Sequence, residues 1–141
     1  MPNKKSSIQP LNESEKSGKR IKILLVEDDE LNIRMVSSFL AGKYYIDEAR
    51  SGEEALKKAL DYNYDLFIMD IGLKKEMTGL DVTKKLRKMN AYQKTPIVAV
   101  TAYALAGDKE RILCAGCSHY LSKPFSKKQL TNLLDSIFTQ T

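Results

Sequence analysis

The sequence predicts an α/β fold, a single doubly wound sheet of five parallel strands with five helices. Two observations indicate this fold. From residue 21 onward, five short apolar runs of strand length alternate with segments whose apolar residues recur at helical spacing. The apolar runs are nearly continuous rather than alternating, which is typical of strands buried on both faces of a sheet. Strands joined through helices run parallel with right-handed crossovers, so helices should cover both faces.

The elements follow from these runs in order. Strands are predicted over residues 21–26, 44–49, 65–70, 96–101 and 118–121, the second being the most polar. A helix is predicted after each strand, because apolar residues there recur every three or four positions. The residues predicted to form the helix stripes are Leu31, Met35, Val36, Phe39 and Leu40; Ala55, Leu56, Ala59 and Leu60; Leu80, Val82, Leu86 and Met89; Leu105, Ile112 and Leu113; and Leu130, Leu133, Leu134, Ile137 and Phe138.

Length and charge favour one globular domain. The chain has 141 residues, of which 43% are hydrophobic, enough for one core. Residues 1–20 are polar and lack periodicity, so a disordered tail is expected there and a folded domain over 21–141. The tail carries +3 of the net charge of +5, which leaves too weak a field over the folded part to indicate nucleic-acid binding. No apolar run reaches a membrane span of roughly 20 residues, so a cytoplasmic protein without membrane contact is expected.

Two cysteines form a Cys-x-x-Cys pair, Cys114 and Cys117. A zinc site would need two more ligands, and His119 is the only other soft candidate nearby. A redox pair usually lies at the N-terminus of a helix, whereas this pair lies at the end of a helical segment closed by Gly116. Both cysteines are therefore interpreted as small buried or half-buried side chains.

Polar groups cluster where the predicted strands end. They are Glu27, Asp28 and Asp29 after the first strand, Asp70 at the end of the third, Thr101 at the end of the fourth and Lys123 after the fifth. The carboxyl ends of parallel strands share one edge of the sheet, where such folds bind ligands. Carboxylates brought together repel unless a cation lies between them, and oxygen ligands suit Mg²⁺. A carboxylate beside Mg²⁺ can act as a nucleophile toward phosphorus, with Thr101 and Lys123 contacting the phosphoryl oxygens.

These residues resemble the response-regulator receiver domains of bacterial two-component signalling, with a CheY-like, flavodoxin-like fold. The resemblance covers about residues 21–139 and rests on four motifs in the right order, which are Val26-Glu27-Asp28-Asp29, Met69-Asp70-Ile71, Val100-Thr101-Ala102 and Tyr120-Leu-Ser-Lys123-Pro124-Phe125. The stretch from Val100 to Asp108 is similar to receivers of hybrid kinases and of stand-alone regulators. The resemblance implies strand order 2-1-3-4-5.

The resemblance also implies roles for individual residues. Asp70 matches the phosphoacceptor, and Thr101 and Lys123 match the groups that sense the phosphate. Glu27, Asp28, Asp70 and the carbonyl of Gly72 match the Mg²⁺ ligands. Tyr120 matches an aromatic switch whose ring turns inward when Thr101 moves, and the bond between Lys123 and Pro124 is expected to be cis.

The implied partners are a histidine kinase or histidine phosphotransfer protein as donor and a downstream protein that responds to a changed surface. A monomer or weak dimer is expected, and the response should pass through a partner or a larger parent protein.

Two departures from the usual receiver sequence stand out in the loop after Asp70. Lys74 replaces a usual proline, and Gly79 lies one residue later than usual, so the loop is predicted to be longer by one. Tyr103, two residues after Thr101, could shield the site.

Other functions stay open at this point. A haloacid-dehalogenase-type phosphatase also forms an aspartyl phosphate, but it would need a second carboxylate two residues after the nucleophile, where Gly72 stands. A dinucleotide-binding oxidoreductase would need a glycine-rich turn after the first strand. A receiver-like module that carries no phosphate is the third alternative.

Several residues also have ordinary structural explanations. Asp28 or Asp29 could cap a helix, Tyr120 could simply pack, and His119 is interpreted as a strand residue rather than a phosphoryl relay. Four basic residues are interpreted as the solvated face of a helix, with a surface for an acidic partner as the alternative; they are Lys84, Lys85, Arg87 and Lys88.

Overall fold

A computed structural model describes residues 20–73, 76–102 and 108–139, and it contains the predicted five-stranded parallel sheet. The strands are β1 (Lys22–Val26), β2 (Tyr45–Ala49), β3 (Leu66–Asp70), β4 (Ile97–Thr101) and β5 (His119–Ser122). Their order is β2-β1-β3-β4-β5, which confirms the order that the resemblance implied. The predicted tail over 1–20 lies outside the described residues apart from Arg20, as do Lys74, Tyr103 and Leu105.

Five α-helices are described, with a short 3₁₀ helix at Asn90–Tyr92. The helices are α1 (Glu30–Leu40), α2 (Gly52–Asp61), α3 (Gly79–Arg87), α4 (Asp108–Ala115) and α5 (Lys127–Thr139). Local sequence explains where α2 and α3 begin. The Ser51 hydroxyl accepts a hydrogen bond from the amide of Glu54, and Thr78 and Asp81 form a reciprocal capping box.

The core lies in two layers, one on each face of the sheet. Strands β3 and β4 are buried along their whole length, as their continuous apolar sequences predicted. Side chains alternate along β3, so Phe67 and Met69 pack toward α2, α3 and α4, whereas Ile68 packs toward α1 and α5. This arrangement leaves the carboxyl ends of the central strands open at one edge of the sheet.

Strand boundaries differ slightly from the prediction. The first four strands begin one residue later than expected, and β5 spans 119–122 instead of 118–121. Residue 44 lies before β2, where the buried Tyr44 ring packs against Phe138 of α5 at a centroid distance of 5.8 Å. Within the described ranges, no helix combines the length and the apolar character needed to cross a bilayer.

Three leucines predicted to line helix stripes are exposed instead, so these predictions were wrong. Leu31 is 73% exposed, Leu60 is 74% exposed and Leu113 is 43% exposed. Helix geometry explains the first two errors. Leu31 precedes the buried Ile33 by two residues, roughly 200° around the helix, and Leu60 follows the buried Ala59 by one, roughly 100° around it. The stripes were assigned from apolar character rather than from the buried positions themselves.

Arg87 is a second correction, because it does not belong to the solvated face that includes the exposed Lys84, Lys85 and Lys88. Its Nε donates to the carbonyl of Gly116 at 2.9 Å, and its Nη1 donates to the carbonyls of Tyr92 and Thr95 at 2.8 and 2.7 Å. Arg87 thus ties the end of α3 to the chain segments on either side of β4.

The cysteine prediction holds for one residue of the pair. Cys117 is buried, and its sulfur lies 3.6 Å from the Thr83 hydroxyl, whereas Cys114 is exposed. Burial raises the pKa of the Cys117 thiol, which is the opposite of what a reactive thiolate requires. His119 lies in β5, as predicted, with its Nδ1 2.7 Å from the Ser118 hydroxyl.

Candidate functional site

A cleft of about 520 Å³ opens at the carboxyl edge of the sheet. Strand ends build it, since β3 ends at Asp70, β4 ends at Thr101, and Glu27 and Lys123 directly follow β1 and β5. The residues that line the cleft are Glu27, Asp28, Asp29, Asn32, Asp70, Gly72, Thr101, Ala102 and Lys123. Every residue predicted for the site from the strand ends is therefore brought into one cleft.

Three carboxylates form the centre of the cleft. One oxygen from each of Glu27, Asp28 and Asp70 lies within 4.8 Å of the others. Glu27 is only 4% exposed and Asp70 only 6% exposed. Burial, followed by the nearby charge of Asp70, raises the pKa of Glu27 to about 7. Such crowding is costly for the carboxylates alone, and it fits a hard divalent cation.

The ligand atoms of these three side chains indicate which cation fits the cleft. All three side chains offer carboxylate oxygens, which Mg²⁺ prefers, and no sulfur or imidazole ligand lies in this cluster of the described residues. A cluster supplied by a few carboxylates also suits an ion that keeps several of its waters. The residues present therefore fit Mg²⁺.

Lys123 supplies the positive charge of the cleft. Its Nζ lies 3.3 Å from Glu27 Oε1 and 3.4 Å from Asp70 Oδ1. The ammonium lowers the pKa of Glu27, although this effect is smaller than that of burial. Its two contacts are long for charge-assisted hydrogen bonds, which are about 2.7–2.9 Å. The lysine can therefore exchange these carboxylates for another anion without breaking a strong bond.

The backbone around Asp70 holds its carboxylate in place. The amide of Gly72 donates to Asp70 Oδ1 at 3.0 Å. Gly79, the first residue of α3, packs so tightly that a Cβ there would lie 2.3 Å from the carbonyl oxygen of Asp70. The end of β3 and the start of α3 are thus in direct backbone contact, and only glycine allows it.

Two further predicted residues differ in position, since Thr101 lines the cleft whereas Tyr120 is not among the lining residues. Thr101 is 4% exposed at the end of β4. Tyr120 is half-buried in β5 opposite Ala99, and its hydroxyl accepts a hydrogen bond from Ser122 at 3.3 Å. The ring packs against the core layer formed with α2, α3 and α4. The bond between Lys123 and Pro124 is cis, as the resemblance implied.

Sequence reasoning missed two features of the site. Asn32 lines the cleft from the first turn of α1, and Gly79 presses against the backbone of Asp70. A signal for Asn32 was available, because it lies four residues after Asp28 and is a poor helix former placed inside a helix. The glycine contact depends on the path of the loop after Asp70, which no local pattern specifies.

Comparisons with known proteins agree with this geometry. The family model for the response regulator receiver domain matches residues 23–135. The polar-differentiation response regulator DivK of Brucella ovis is 41% identical over 115 residues, which cover 81% of this chain and 93% of that protein.

Solved structures give the same result. The chemotaxis response regulator CheY4 of Vibrio cholerae superposes with a TM-score of 0.79 at 31% identity, covering 84% of this chain and 99% of that one. The receiver domain of a sensor histidine kinase from Pseudomonas aeruginosa superposes with a TM-score of 0.76 at 34% identity, covering 83% and 96%. That structure holds a magnesium ion coordinated in its active-site cleft.

Proposed function

Because this chain belongs to the response regulator receiver domain family of two-component signalling, we propose that its cleft accepts a phosphoryl group on Asp70. The observation that carries the proposal is the position of Asp70. It is a buried carboxylate at the end of the central strand, with two other acids and one lysine within reach. Carboxylates brought this close together repel one another, so the cluster is better explained by a ligand that it binds than by a contribution to stability.

The proposed step is a displacement at phosphorus. A carboxylate oxygen of Asp70 forms a bond to phosphorus while the bond from phosphorus to the donor's imidazole nitrogen breaks, and the electron pair of that bond stays on the nitrogen. Lys123 neutralises one phosphoryl oxygen, and the Thr101 hydroxyl donates to another. Catalysis is then mostly positioning, which suits a domain that carries a signal rather than one that turns over a substrate.

Glu27, Asp28, Asp70 and the carbonyl of Gly72 would hold Mg²⁺ in this cleft. The ion, when bound, offsets negative charge on the carboxylates and on the incoming phosphoryl group. The raised pKa of Glu27 supports this assignment, because burial and the neighbouring Asp70 carboxylate make the ionised form of Glu27 costly when no divalent cation offsets its charge.

The proposed partners are a histidine kinase or histidine phosphotransfer protein as donor and a second protein as reader. Thr101 would move toward the phosphoryl group, and the half-buried Tyr120 would turn into the vacated space. The change in the exposed surface near β4 and β5 would then alter the affinity for the reader.

The same chemistry allows small phosphodonors to phosphorylate Asp70 and water to remove the phosphoryl group. Such a domain would act in the cytoplasm as a monomer or weak dimer.

The test uses Mg²⁺ with acetyl phosphate or beryllofluoride. With acetyl phosphate, intact mass should show the gain of one phosphoryl group on the wild type and none on Asp70→Asn. Beryllofluoride, which carries no phosphorus, should give a spectral change on the wild type and none on Asp70→Asn. Asp61→Asn, at an exposed position at the end of α2, is the matched control and should accept phosphate like the wild type. A wild type that gains no phosphoryl group, or an Asp70→Asn variant that still gains it, contradicts the proposal. Hydrolysis of an added phosphoester with turnover would favour the phosphatase instead.

A further inference from the structure

Asn32 occupies a helix position that has a capping role elsewhere in this chain. It is the third residue of α1, and the third residues of α2, α3 and α5 are Glu54, Asp81 and Gln129. The side chains of those three residues each accept a hydrogen bond from a backbone amide at or just before the N-cap. Three helices therefore use this position to satisfy the free amides of their first turn.

Helix α1 does not use Asn32 in this way. The amide of its N-cap residue Asp29 donates to Glu27 Oε2 at 3.1 Å, and the Asp29 side chain forms no cap. The side-chain amide of Asn32 forms no hydrogen bond with any residue that the structure describes. Asparagine is also a poor helix former, so its presence inside α1 has no local structural explanation.

The surroundings of Asn32 indicate what its side chain could contact. It lines the carboxylate cleft together with Glu27, Asp28 and Asp70. It also borders a small apolar cavity beneath the cleft, beside Met35 and Phe125. Asn32 thus lies at the boundary between the polar cleft and the apolar core, where it contributes polar atoms on the side of α1.

We propose that Asn32 is a positioning residue for Mg²⁺, whose side-chain oxygen accepts a hydrogen bond from a water molecule bound to the ion. The inference rests on the proposed function, since it requires Mg²⁺ in the cleft. Mg²⁺ loses its waters reluctantly and keeps several of them in protein sites. Those waters need acceptors, and groups that orient metal-bound ligands commonly change metal affinity 10- to 100-fold.

A neutral acceptor suits the charge of this cleft. Glu27, Asp28 and Asp70 together balance a divalent cation and the ammonium of Lys123. An amide adds an acceptor without adding a charge, so it orients a water while leaving the site able to receive an anionic phosphoryl group.

The test is a calorimetric titration of the full chain with Mg²⁺ alone. Asn32→Leu and Asn32→Ala remove the acceptor and should weaken Mg²⁺ binding about 10-fold. Asn32→Asp keeps an acceptor oxygen and should bind Mg²⁺ at least as tightly as the wild type. Asn63→Ala, at an exposed position at the opposite edge of the sheet, is the matched control and should bind like the wild type.

Thermal melts without Mg²⁺ separate this role from a structural one. Asn32→Ala should melt at the wild-type temperature or slightly higher, because alanine is the better helix former. Wild-type affinity in Asn32→Leu and Asn32→Ala would overturn the inference, as would weakened binding in Asn32→Asp. Both results leave the proposed function intact if the wild type binds Mg²⁺ and accepts phosphate on Asp70. A wild type that does neither overturns the proposed function itself.

Discussion

Replacing Gly79 with alanine should displace Asp70 and destabilise the fold. The new Cβ would lie 2.3 Å from the carbonyl oxygen of Asp70 and 3.0 Å from its carbonyl carbon. Close carbon–oxygen contacts in proteins are about 3.3 Å, so α3 and the end of β3 must separate by about 1 Å. Both contacted atoms belong to the backbone of Asp70, so no side-chain rotation can relieve the clash.

Overpacking of this kind costs about 1–3 kcal/mol. The direction of the change in unfolding free energy is informative, because alanine in a helix otherwise stabilises by roughly 0.5–1 kcal/mol relative to glycine. A shift of about 1 Å in a reacting group can lower a rate about 100-fold. Gly79→Ala should therefore lower the free energy of unfolding in urea and slow phosphorylation by acetyl phosphate at least 10-fold.

Gly72→Ala is the matched control from the same loop. Its Cβ would meet only Asp70 Oδ1, at 3.6 Å, which is an ordinary contact. Its stability should stay within about 0.5 kcal/mol of the wild type. The reasoning is refuted if Gly79→Ala is as stable as Gly72→Ala and is phosphorylated at the wild-type rate.

Three further predictions concern Glu27, Arg87 and α1. Without Mg²⁺, the free energy of unfolding should fall as pH rises between 4.5 and about 7, because Glu27 binds its proton more tightly in the folded state. Urea titrations of Glu27→Gln should show a smaller fall of this free energy over the same pH range. An equal fall in both proteins would contradict the prediction. Arg87→Met removes three hydrogen bonds to backbone carbonyls and should cost about 2–4 kcal/mol in urea unfolding, whereas the exposed Lys88→Met should cost less than about 0.5 kcal/mol. Ile33→Ala should cost about 2–5 kcal/mol, but Leu31→Ala should change stability little because Leu31 is 73% exposed; comparable losses would mean that the apolar stripe includes Leu31 after all.

Much of the fold could be predicted from the sequence because its signals are local. Continuous apolar runs identified β3 and β4 as buried strands, and the recurrence of Leu130 and Leu134 identified α5. The polar residues at the strand ends followed from the same pattern, since parallel strands all end at one edge. The candidate site could therefore be assembled before any distance was known.

The errors have a common cause, because the burial of each side chain was predicted from its residue type alone. Apolar character alone does not say which side of a helix meets the sheet, so Leu31 and Leu60 were placed inward although they are exposed. Charge alone does not say that a side chain is solvated, so Arg87 was grouped with three lysines although three backbone carbonyls surround its guanidinium.

The sequence by itself determined the α/β class, the order of the elements and the residues that meet at the carboxyl edge. Only the tertiary structure decided the contact of Gly79 with Asp70 and the inclusion of Asn32 in the cleft. The physical reason is that local patterns report the environment that each residue prefers. Distances between residues from different elements depend instead on how helices pack against the sheet and on the path of the connecting loops.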